Sequence, residues 1–369
     1  MSSQRILIIS TPVGPLGSGE GGGVELTLHS LVLGLTGRGH LVEVLAPAES
    51  LHVGAVVHQI PGTLQPTAHT ADRDTLVSVA ADGVLAGMCE WARMHQDEFD
   101  VILNLAYDWL PFYLTPFFVT TPLAHLVSMA TLSDAMDDAI IRAATLRPRN
   151  VAMHSQAQAD TFPTLADAVP VIGSGIAVDR YDMHVTADEP RYLGFIGRIS
   201  PEKGLGDVVA VAEACDMPLK VWGLMQDRAV WDAAIAAHPA AQVTYEGFLP
   251  TDDLQAAIGG CAAIVMAPKW VEAFGNVAIE AMATGVPVIA YRRGGPAEIV
   301  THGKTGFLVE PDDIEGLIAA VDRIDELDRV ECRQRVEEEY SIPALAARVE
   351  TWLDAVIECH RSSWYADPA

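Results

Sequence analysis

Residues 268–287 read PKWVEAFGNVAIEAMATGVP, and this stretch decides the fold of the second half of the chain. An apolar run at residues 262–267 precedes it and has the composition of a buried parallel strand. Gly275 and Asn276 favour a turn and a helix N-cap, and the spacing of apolar residues predicts a helix over residues 277–284. A strand followed by a loop and a helix is the repeating unit of a doubly wound α/β domain.

Two glutamates stand in this stretch, Glu272 on the predicted loop and Glu280 one turn into the predicted helix. Each carboxylate can accept hydrogen bonds from a pair of vicinal hydroxyls, and the amides at the start of a helix attract anionic oxygens. The arrangement suits a bound sugar nucleotide. Taken alone, Glu280 could equally be an ordinary glutamate near a helix start, which the helix dipole favours.

The whole stretch, with its E-x7-E spacing, resembles the signature of the retaining GT-B glycosyltransferases, family 4-like, a group that includes sucrose and glycogen synthases and bacterial mannosyltransferases. The resemblance implies an α/β fold of the GT-B type, in which two doubly wound Rossmann-like domains face each other across a cleft. It also implies that Glu272 contacts hydroxyls of the donor sugar and that Glu280 binds the nucleotide ribose. Four positions between them complete this part of the expected donor site: Ala273, Phe274, Gly275 and Asn276.

The bulk composition narrows the class of protein. A chain of 369 residues is long enough for about two domains. Its net charge of −26 argues against binding to nucleic acid or to an anionic membrane, because both need clustered Lys and Arg. We expect no membrane span, because no apolar run approaches about 20 residues. The start leads straight into a strand and the five cysteines are scattered, so we expect a cytoplasmic protein with reduced thiols.

The first domain opens with a strand at residues 6–10, followed by a glycine-rich loop. Residues 17–22 fit G-x-G-x-x-G, which would indicate a nicotinamide dinucleotide. However, the pattern does not follow the strand immediately, and the acidic Glu43 lies inside the second strand and not at its end. The competing interpretation is a flexible loop whose amides close on a diphosphate or on the acceptor, with Gly22 and Gly23 in the donor site.

A buried strand is predicted over residues 100–105, and the loop predicted after it contains the aromatic residues Tyr107, Trp109 and Tyr113. They could stack on a flat acceptor or simply pack between helices. A later strand carries His125, and in the resembling family a histidine at this point contacts the donor sugar near the reacting carbon. Residues 72–74 match a metal-binding D-x-D pattern, but they lie in a polar stretch, and we interpret them as a solvated turn.

The second domain begins with a strand at residues 192–197 and the loop RISPEKG at residues 198–204. The family resemblance implies that Arg198 and Lys203 bind the donor diphosphate in place of a metal ion. Two fixed cations would stabilise the charge that a leaving diphosphate gains in the transition state. Further along, Phe248 and Leu249 resemble the family segment that lies against the base.

These features predict an acceptor-binding domain over residues 1–185, a nucleotide-sugar-binding domain over residues 190–341, and a C-terminal helix over residues 342–369 that crosses back to the first domain. The implied reaction is sugar transfer with retained anomeric configuration. As in the resembling family, the acceptor hydroxyl would attack the anomeric carbon from the side on which the diphosphate leaves (front-side attack), and the donor phosphate would help to take the acceptor proton. We expect neither a metal nor a cofactor besides the nucleotide-sugar co-substrate.

The opening stretch, residues 10–28, resembles the cyanobacterial pteridine glucosyltransferases, which move glucose from UDP-glucose to tetrahydrobiopterin. Residues 1–180 contain eight Arg, no Lys and eighteen Asp or Glu, which fits a soluble acceptor better than a lipid. Three rival functions stay open: transfer to a carbohydrate or lipid, a nucleotide-sugar epimerase, and a nicotinamide oxidoreductase. The sequence also does not decide whether the nucleotide of the donor is UDP, GDP or ADP, or what the oligomeric state is.

Overall fold

Each half of the chain builds a six-stranded parallel sheet. The computed structural model describes residues 3–52, 54–68 and 73–365. The chain divides into two units, the first made of Met1–Ser174 with Ile342–Ala369 and the second of Gly175–Ser341. The doubly wound α/β architecture predicted for both halves is confirmed.

The first unit has the strand order β3-β2-β1-β4-β5-β6. On the central strand, Ile6 and Ile8 pack into one apolar cluster while Leu7 and Ile9 pack into another, so both faces of the sheet are covered. The strands are β1 (Arg5–Ile9), β2 (Leu41–Pro47), β3 (Val56–Ile60), β4 (Val101–Asn104), β5 (Leu123–Val127) and β6 (Val151–Met153); the helices are α1 (Gly23–Gly37), α2 (Val84–Met94), α3 (Trp109–Leu114), α4 (Asp134–Leu146) and α5 (Gln156–Ala159).

The second unit has the order β12-β11-β10-β7-β8-β9. Its two central strands are apolar, and all of their residues except the last ones, Ile196 and Met266, are buried, as expected for a parallel sheet covered on both faces. The strands are β7 (Leu193–Ile196), β8 (Leu219–Trp222), β9 (Val243–Gly247), β10 (Ala263–Met266), β11 (Val288–Tyr291) and β12 (Gly306–Val309); the helices are α6 (Leu205–Ala214), α7 (Arg228–Ala237), α8 (Thr251–Ile258), α9 (Asn276–Ala283), α10 (Pro296–Ile299), α11 (Ile314–Val321) and α12 (Arg329–Glu339).

The predicted strand, loop and helix around residues 268–287 are present as β10, its following loop and α9. The cap differs by one position. Gly275 precedes the helix with a φ of 99°, a left-handed conformation that favours glycine, and Asn276 is the first helical residue.

A last helix, α13 (Ile342–Tyr365), belongs to the first unit. The buried carboxylate of Glu350 pairs with Arg38 and accepts from His40 Nε2 at 3.1 Å. The indole of Trp352 donates to the carbonyl of Arg149 at 2.7 Å. These polar bonds fix the helix beside α1, and the buried apolar residues of α13 complete the core of the first unit.

Three local predictions differ from the structure. The apolar spacing of residues 76–95 predicts a helix and that of residues 53–60 a strand. The helix begins only at Val84, because Leu76 is 88% exposed and residues 76–79 bury no apolar face that would stabilise a helix. The strand predicted from residue 53 begins at Val56; Val53 and Asp72, the first residue of the D-x-D pattern, lie outside the described residues. The aromatic loop is the helix α3, capped by the carboxylate of Asp108. Within the described ranges, no helix is both long and apolar enough to cross a membrane.

Candidate functional site

The chain order reverses between β7 and β10, which are neighbours in the second sheet. Parallel strands end at the same edge, and ligands of open α/β sheets bind at the carboxyl edge where the order reverses. Residues 197–204 follow β7, and residues 267–275 follow β10. The fold therefore brings the two predicted donor-binding loops of this unit together.

A direct ion pair joins these loops. The ammonium Nζ of Lys203 lies 2.5 Å from Oε2 of Glu272, and both side chains are about one-fifth exposed (20% and 18%). The indole of Trp270 also donates to Oε2 of Glu272 at 3.1 Å, and Nζ of Lys203 lies 5.0 Å from the centre of that ring. Burial alone would raise the pKa of Glu272, but the charges of Lys203 and Arg198 hold it below the usual value.

Arg198 lies at the start of the same loop. Its guanidinium donates to Oε1 of Glu202 at 3.1 Å, and the hydroxyl of Ser200 donates to the same oxygen at 2.7 Å. Glu202 is thus the internal anion for Arg198, as Glu272 is for Lys203. Both predicted diphosphate-binding cations lie on one loop at the reversal point, each with a carboxylate partner.

Close backbone approaches hold the two loops in place. A Cβ atom on Gly204, which has a φ of 69°, would lie 1.9 Å from the carbonyl oxygen of Ala267. A Cβ atom on Gly294 would lie 2.3 Å from the carbonyl oxygen of Glu272. The amide of Gly295 donates to that same carbonyl at 2.8 Å. Glycine is required at both contacts, since any side chain would push the Glu272 loop away from its neighbours.

Glu280 lies within α9 and is 8% exposed. Its Oε1 accepts a hydrogen bond from the hydroxyl of Tyr181 at 3.3 Å. Burial raises the pKa of Glu280 to about 7, and the bond from Tyr181 partly opposes that rise. Glu280 is therefore a buried acid inside a helix, unlike the exposed helix-start glutamate that was the alternative interpretation.

The other positions predicted to bind the donor differ in their exposure and in their place in the fold. Ala273 and Phe274 are nearly buried, so they would contact a ligand mainly through backbone amides, and the ring of Phe274 packs edge-on against Tyr340 at 5.8 Å. Phe248 is 51% exposed and, with Leu249, follows the edge strand β9. Strand β9 is two strands from β7, about 10 Å along the sheet.

In the first unit the order reverses between β1 and β4, and the glycine-rich loop follows β1. Its amides are not bare. Those of Gly17, Gly19 and Gly21 all donate to the carboxylate of Glu25, at 2.8, 3.3 and 2.8 Å. Gly22, with a φ of 56°, precedes α1, and Gly23 is its first residue. A carboxylate of the chain itself thus occupies the position expected for a ligand anion.

The aromatic residues after β4 take two roles. The hydroxyl of Tyr107 donates to the carbonyl of Ala130 at 3.3 Å, and burial raises the pKa of that phenol above its usual range. Trp109 and Tyr113 lie one helical turn apart on α3 and stack at 4.4 Å between ring centres, with Tyr113 39% exposed. This helix offers a stacked aromatic surface, while Tyr107 contributes mainly to packing.

His125 lies fully buried in β5 and not at a loop. One ring nitrogen is 3.2 Å from the amide of Asn104 and the other is 2.8 Å from the hydroxyl of Thr115, while the ring stacks on Phe112 at 4.3 Å. Burial lowers the pKa of His125 to about 3. These contacts satisfy both ring nitrogens, and a sugar contact, which stays a prediction, would require the ring to leave its partners.

Sequence reasoning missed four partner residues: Glu25, Tyr181, Glu202 and Trp270. Only Glu202 had a visible signal, an acid four positions from Arg198 and next to Lys203. Among the described residues, no group of three or more His, Cys, Asp or Glu side chains is placed to hold a metal ion.

Comparison with known proteins assigns a family domain. Residues 182–355 match the family model described as Glycosyl transferases group 1, somewhat less than half of the chain. A 2-deoxystreptamine glucosyltransferase of Streptomyces kanamyceticus is 36% identical over 138 residues, which is 36% of this chain and 35% of that relative. The match thus spans about a third of that curated relative's length. A D-inositol 3-phosphate glycosyltransferase of Nocardia farcinica is 26% identical over 83% of this chain and 78% of its own length.

Among solved structures, Anabaena HepE in complex with UDP and glucose superposes with a TM-score of 0.72 at 19% identity, covering 95% of this chain and all of that one. At this identity the likeness shows the fold, which is that of the GT-B glycosyltransferases. Residues 182–355 are thus similar to the glycosyl transferases group 1 family, and the chain has the GT-B fold.

Proposed function

We propose that this chain, whose residues 182–355 match a glycosyltransferase group 1 domain, is a retaining, metal-independent glycosyltransferase. It would move glucose from UDP-glucose to a hydroxyl of a small soluble acceptor. The observation that supports this most strongly is the pair formed by Lys203 and Glu272 at the carboxyl edge of β7 and β10, with Arg198 on the same loop. The Anabaena protein of the same fold was solved with UDP and glucose, which favours this donor.

In the proposed step, the acceptor oxygen attacks the anomeric carbon while the bond from that carbon to the β-phosphate oxygen breaks. UDP leaves, and one of its phosphate oxygens takes the acceptor proton on the same face of the sugar, so the configuration is retained. Negative charge grows on the diphosphate as the bond breaks. Lys203 and Arg198 would stabilise that charge more in the transition state than in the ground state, which is what accelerates transfer.

The acids would hold the rest of the donor. An ammonium has three N–H donors, so Lys203 can pair with Glu272 and still bind a phosphate oxygen. Glu272 would then accept from the sugar hydroxyls next to the reacting carbon. Glu280 would accept from the ribose hydroxyls, while the amides around residues 273–276 bind phosphate at the start of α9.

The identity of the acceptor is proposed from the aromatic and acidic side chains of the first unit. Tetrahydrobiopterin is the first candidate, because the stacked pair Trp109 and Tyr113 suits a flat pterin ring. An aminocyclitol is the second, because the Streptomyces relative is named for 2-deoxystreptamine. Its ammonium groups would also be attracted by an excess of ten acidic residues in the first 180.

The test begins with isothermal titration of UDP, GDP, ADP and UDP-glucose, in EDTA. We expect UDP and UDP-glucose to bind, and Lys203→Ala to weaken both strongly, while Lys304→Ala, at an exposed site, leaves them unchanged. No heat with any nucleotide sugar at millimolar ligand would refute the proposal.

Product analysis then separates the acceptors. Mass spectrometry of reactions with UDP-glucose and either tetrahydrobiopterin or 2-deoxystreptamine should show one hexose added, and the anomeric coupling constant in the proton NMR spectrum should report an α-linkage. A changed sugar without any acceptor would instead indicate an epimerase. Tight NAD(H) binding without nucleotide-sugar binding would indicate an oxidoreductase.

A further inference from the structure

The hydroxyl of Tyr181 donates a hydrogen bond to the buried side chain of Glu280, at 3.3 Å from Oε1. Tyr181 is only 4% exposed and Glu280 only 8%. The two residues are 99 positions apart: Tyr181 precedes β7, and Glu280 lies in α9. The contact therefore depends on tertiary packing and not on local sequence.

A second set of bonds fixes the backbone of Tyr181 against α9. The guanidinium of Arg333, in α12, donates to the carbonyl of Tyr181 at 2.6 Å and to the carbonyl of Ala283, the last residue of α9, at 2.7 Å. Three residues after Tyr181, the amide of His184 donates to the carbonyl of Thr284 at 2.9 Å. The phenol is thus held at a constant position relative to the helix that carries Glu280.

A carboxylate has two oxygens and can accept about four hydrogen bonds. When one oxygen accepts from a fixed donor, the rotation of the carboxylate is restricted, and the other oxygen has a defined direction. A group that binds vicinal hydroxyls benefits from such preorganisation, because less conformational freedom is lost on binding.

We propose that Tyr181 is a positioning residue for nucleotide binding: its hydroxyl fixes Oε1 of Glu280, so that Oε2 is presented to the hydroxyls of the donor ribose. This inference rests on the proposed function, which assigns the ribose to Glu280. Tyr181 itself touches no reacting atom. Removing the hydroxyl weakens the part of nucleotide binding that depends on the ribose hydroxyls and leaves the contacts to the diphosphate intact.

The experiment measures the affinity of Tyr181→Phe for UDP and for 2′,3′-dideoxyuridine 5′-diphosphate, which lacks the ribose hydroxyls. We expect about tenfold weaker binding of UDP, the loss typical of a hydrogen bond to a charged group, and unchanged binding of the dideoxy nucleotide. Retained dideoxy binding also shows that the variant is folded. In a Glu280→Ala background, Tyr181→Phe should weaken UDP by less than twofold, because the side chain through which the hydroxyl acts is absent.

Tyr192→Phe is the matched control. Its hydroxyl also lies 3.3 Å from a carboxylate oxygen, that of Asp188, and it is 6% exposed. Both nucleotides should bind this variant as they bind the wild type.

Each other outcome overturns the inference in a distinct way. Equal UDP affinity in Tyr181→Phe and wild type would show that the hydroxyl does not act on binding, while the proposed function stands. Equal weakening of both nucleotides would show a structural role unrelated to the ribose. Failure of the wild type to bind UDP would remove the proposed function, and the inference with it.

Discussion

Replacing Lys203 by Met tests the central ion pair, because Met keeps an unbranched apolar chain beside Trp270 and removes only the charge. Glu272 would keep its bond from Trp270 but lose its cation at 2.5 Å. Breaking an exposed pair costs about 0.2–1 kcal/mol, and removing one partner of a buried pair costs about 3–5 kcal/mol. Since both side chains are about one-fifth exposed, we expect a loss of about 2 kcal/mol in the free energy of unfolding.

The loss should depend on pH with a definite sign. In the wild type, burial favours the neutral acid, but Lys203 and Arg198 lower the pKa of Glu272 below 4.5. Its stabilising contribution is therefore fully present above about pH 4.5 and would be lost only as pH falls through the lowered pKa. Without Lys203, burial dominates and the pKa of Glu272 rises. Ionising it then destabilises the fold, so the deficit relative to wild type grows as pH increases.

Differential scanning calorimetry at pH 5.5 and pH 8.0 measures the stability deficit of Lys203→Met relative to the wild type. Both pH values lie above the isoelectric point of about 4.6. For a unit of this size, 2 kcal/mol corresponds to a Tm about 4–8 °C lower at pH 8.0, with a smaller decrease at pH 5.5. Lys304→Met is the control and should not change Tm. Adding Glu272→Gln to Lys203→Met should recover most of the loss, because no buried charge then lacks its cation. An equal deficit at both pH values would refute the electrostatic reasoning.

Four further results are expected. Because the pKa of Glu280 is raised to about 7, its contribution to stability is present below pH 4.5 and is lost as pH rises through 7; Glu280→Gln should abolish that part of the pH dependence of Tm between pH 6 and 8. Glu25→Ala should accelerate hydrogen exchange in the glycine loop, measured by mass spectrometry, since three amides lose their acceptor; unchanged exchange would contradict this. His125→Leu should destabilise the first unit by about 1–3 kcal/mol by leaving buried polar partners unsatisfied, with UDP affinity unchanged. Trp109→Ala should raise the KM for the acceptor but not for the donor, and a rise in both would remove this side chain from the acceptor site.

The fold of the second unit was predictable because its signals are local. The run at residues 262–267, the glycine at 275 and the apolar spacing after it each specify one element, and the order of elements fixes a parallel sheet. In a parallel sheet, loops after neighbouring strands meet at one edge. That rule accounts for the meeting of the two loops, although the direct pair of Lys203 with Glu272 was not predicted.

The errors arose where tertiary context outweighed the local pattern. Residues 76–83 have helical spacing, but in the structure residues 76–79 are exposed, so no packing stabilises a helix before Val84. The strand that carries His125 was predicted, but its contacts with Asn104 and Thr115 were not, because these partners are distant in sequence and no spacing rule connects them to it. The contact between Tyr181 and Glu280 spans 99 positions and was invisible for the same reason.

One property was not visible in any motif: in each unit, the groups predicted to bind the ligand already have charged partners within the same unit. Lys203 pairs with Glu272, Arg198 with Glu202, and the amides of the glycine loop bind Glu25. These carboxylates keep each group in place before a ligand binds. The net charge of −26 still repels an anionic nucleotide at long range. If a diphosphate binds Arg198 and the glycine-loop amides, it has to replace Glu202 and Glu25 there, whereas Lys203 can keep Glu272 and add a phosphate oxygen. Its affinity measures a difference between two sets of hydrogen bonds, so replacing Glu202 or Glu25 should alter donor affinity although neither would touch the sugar.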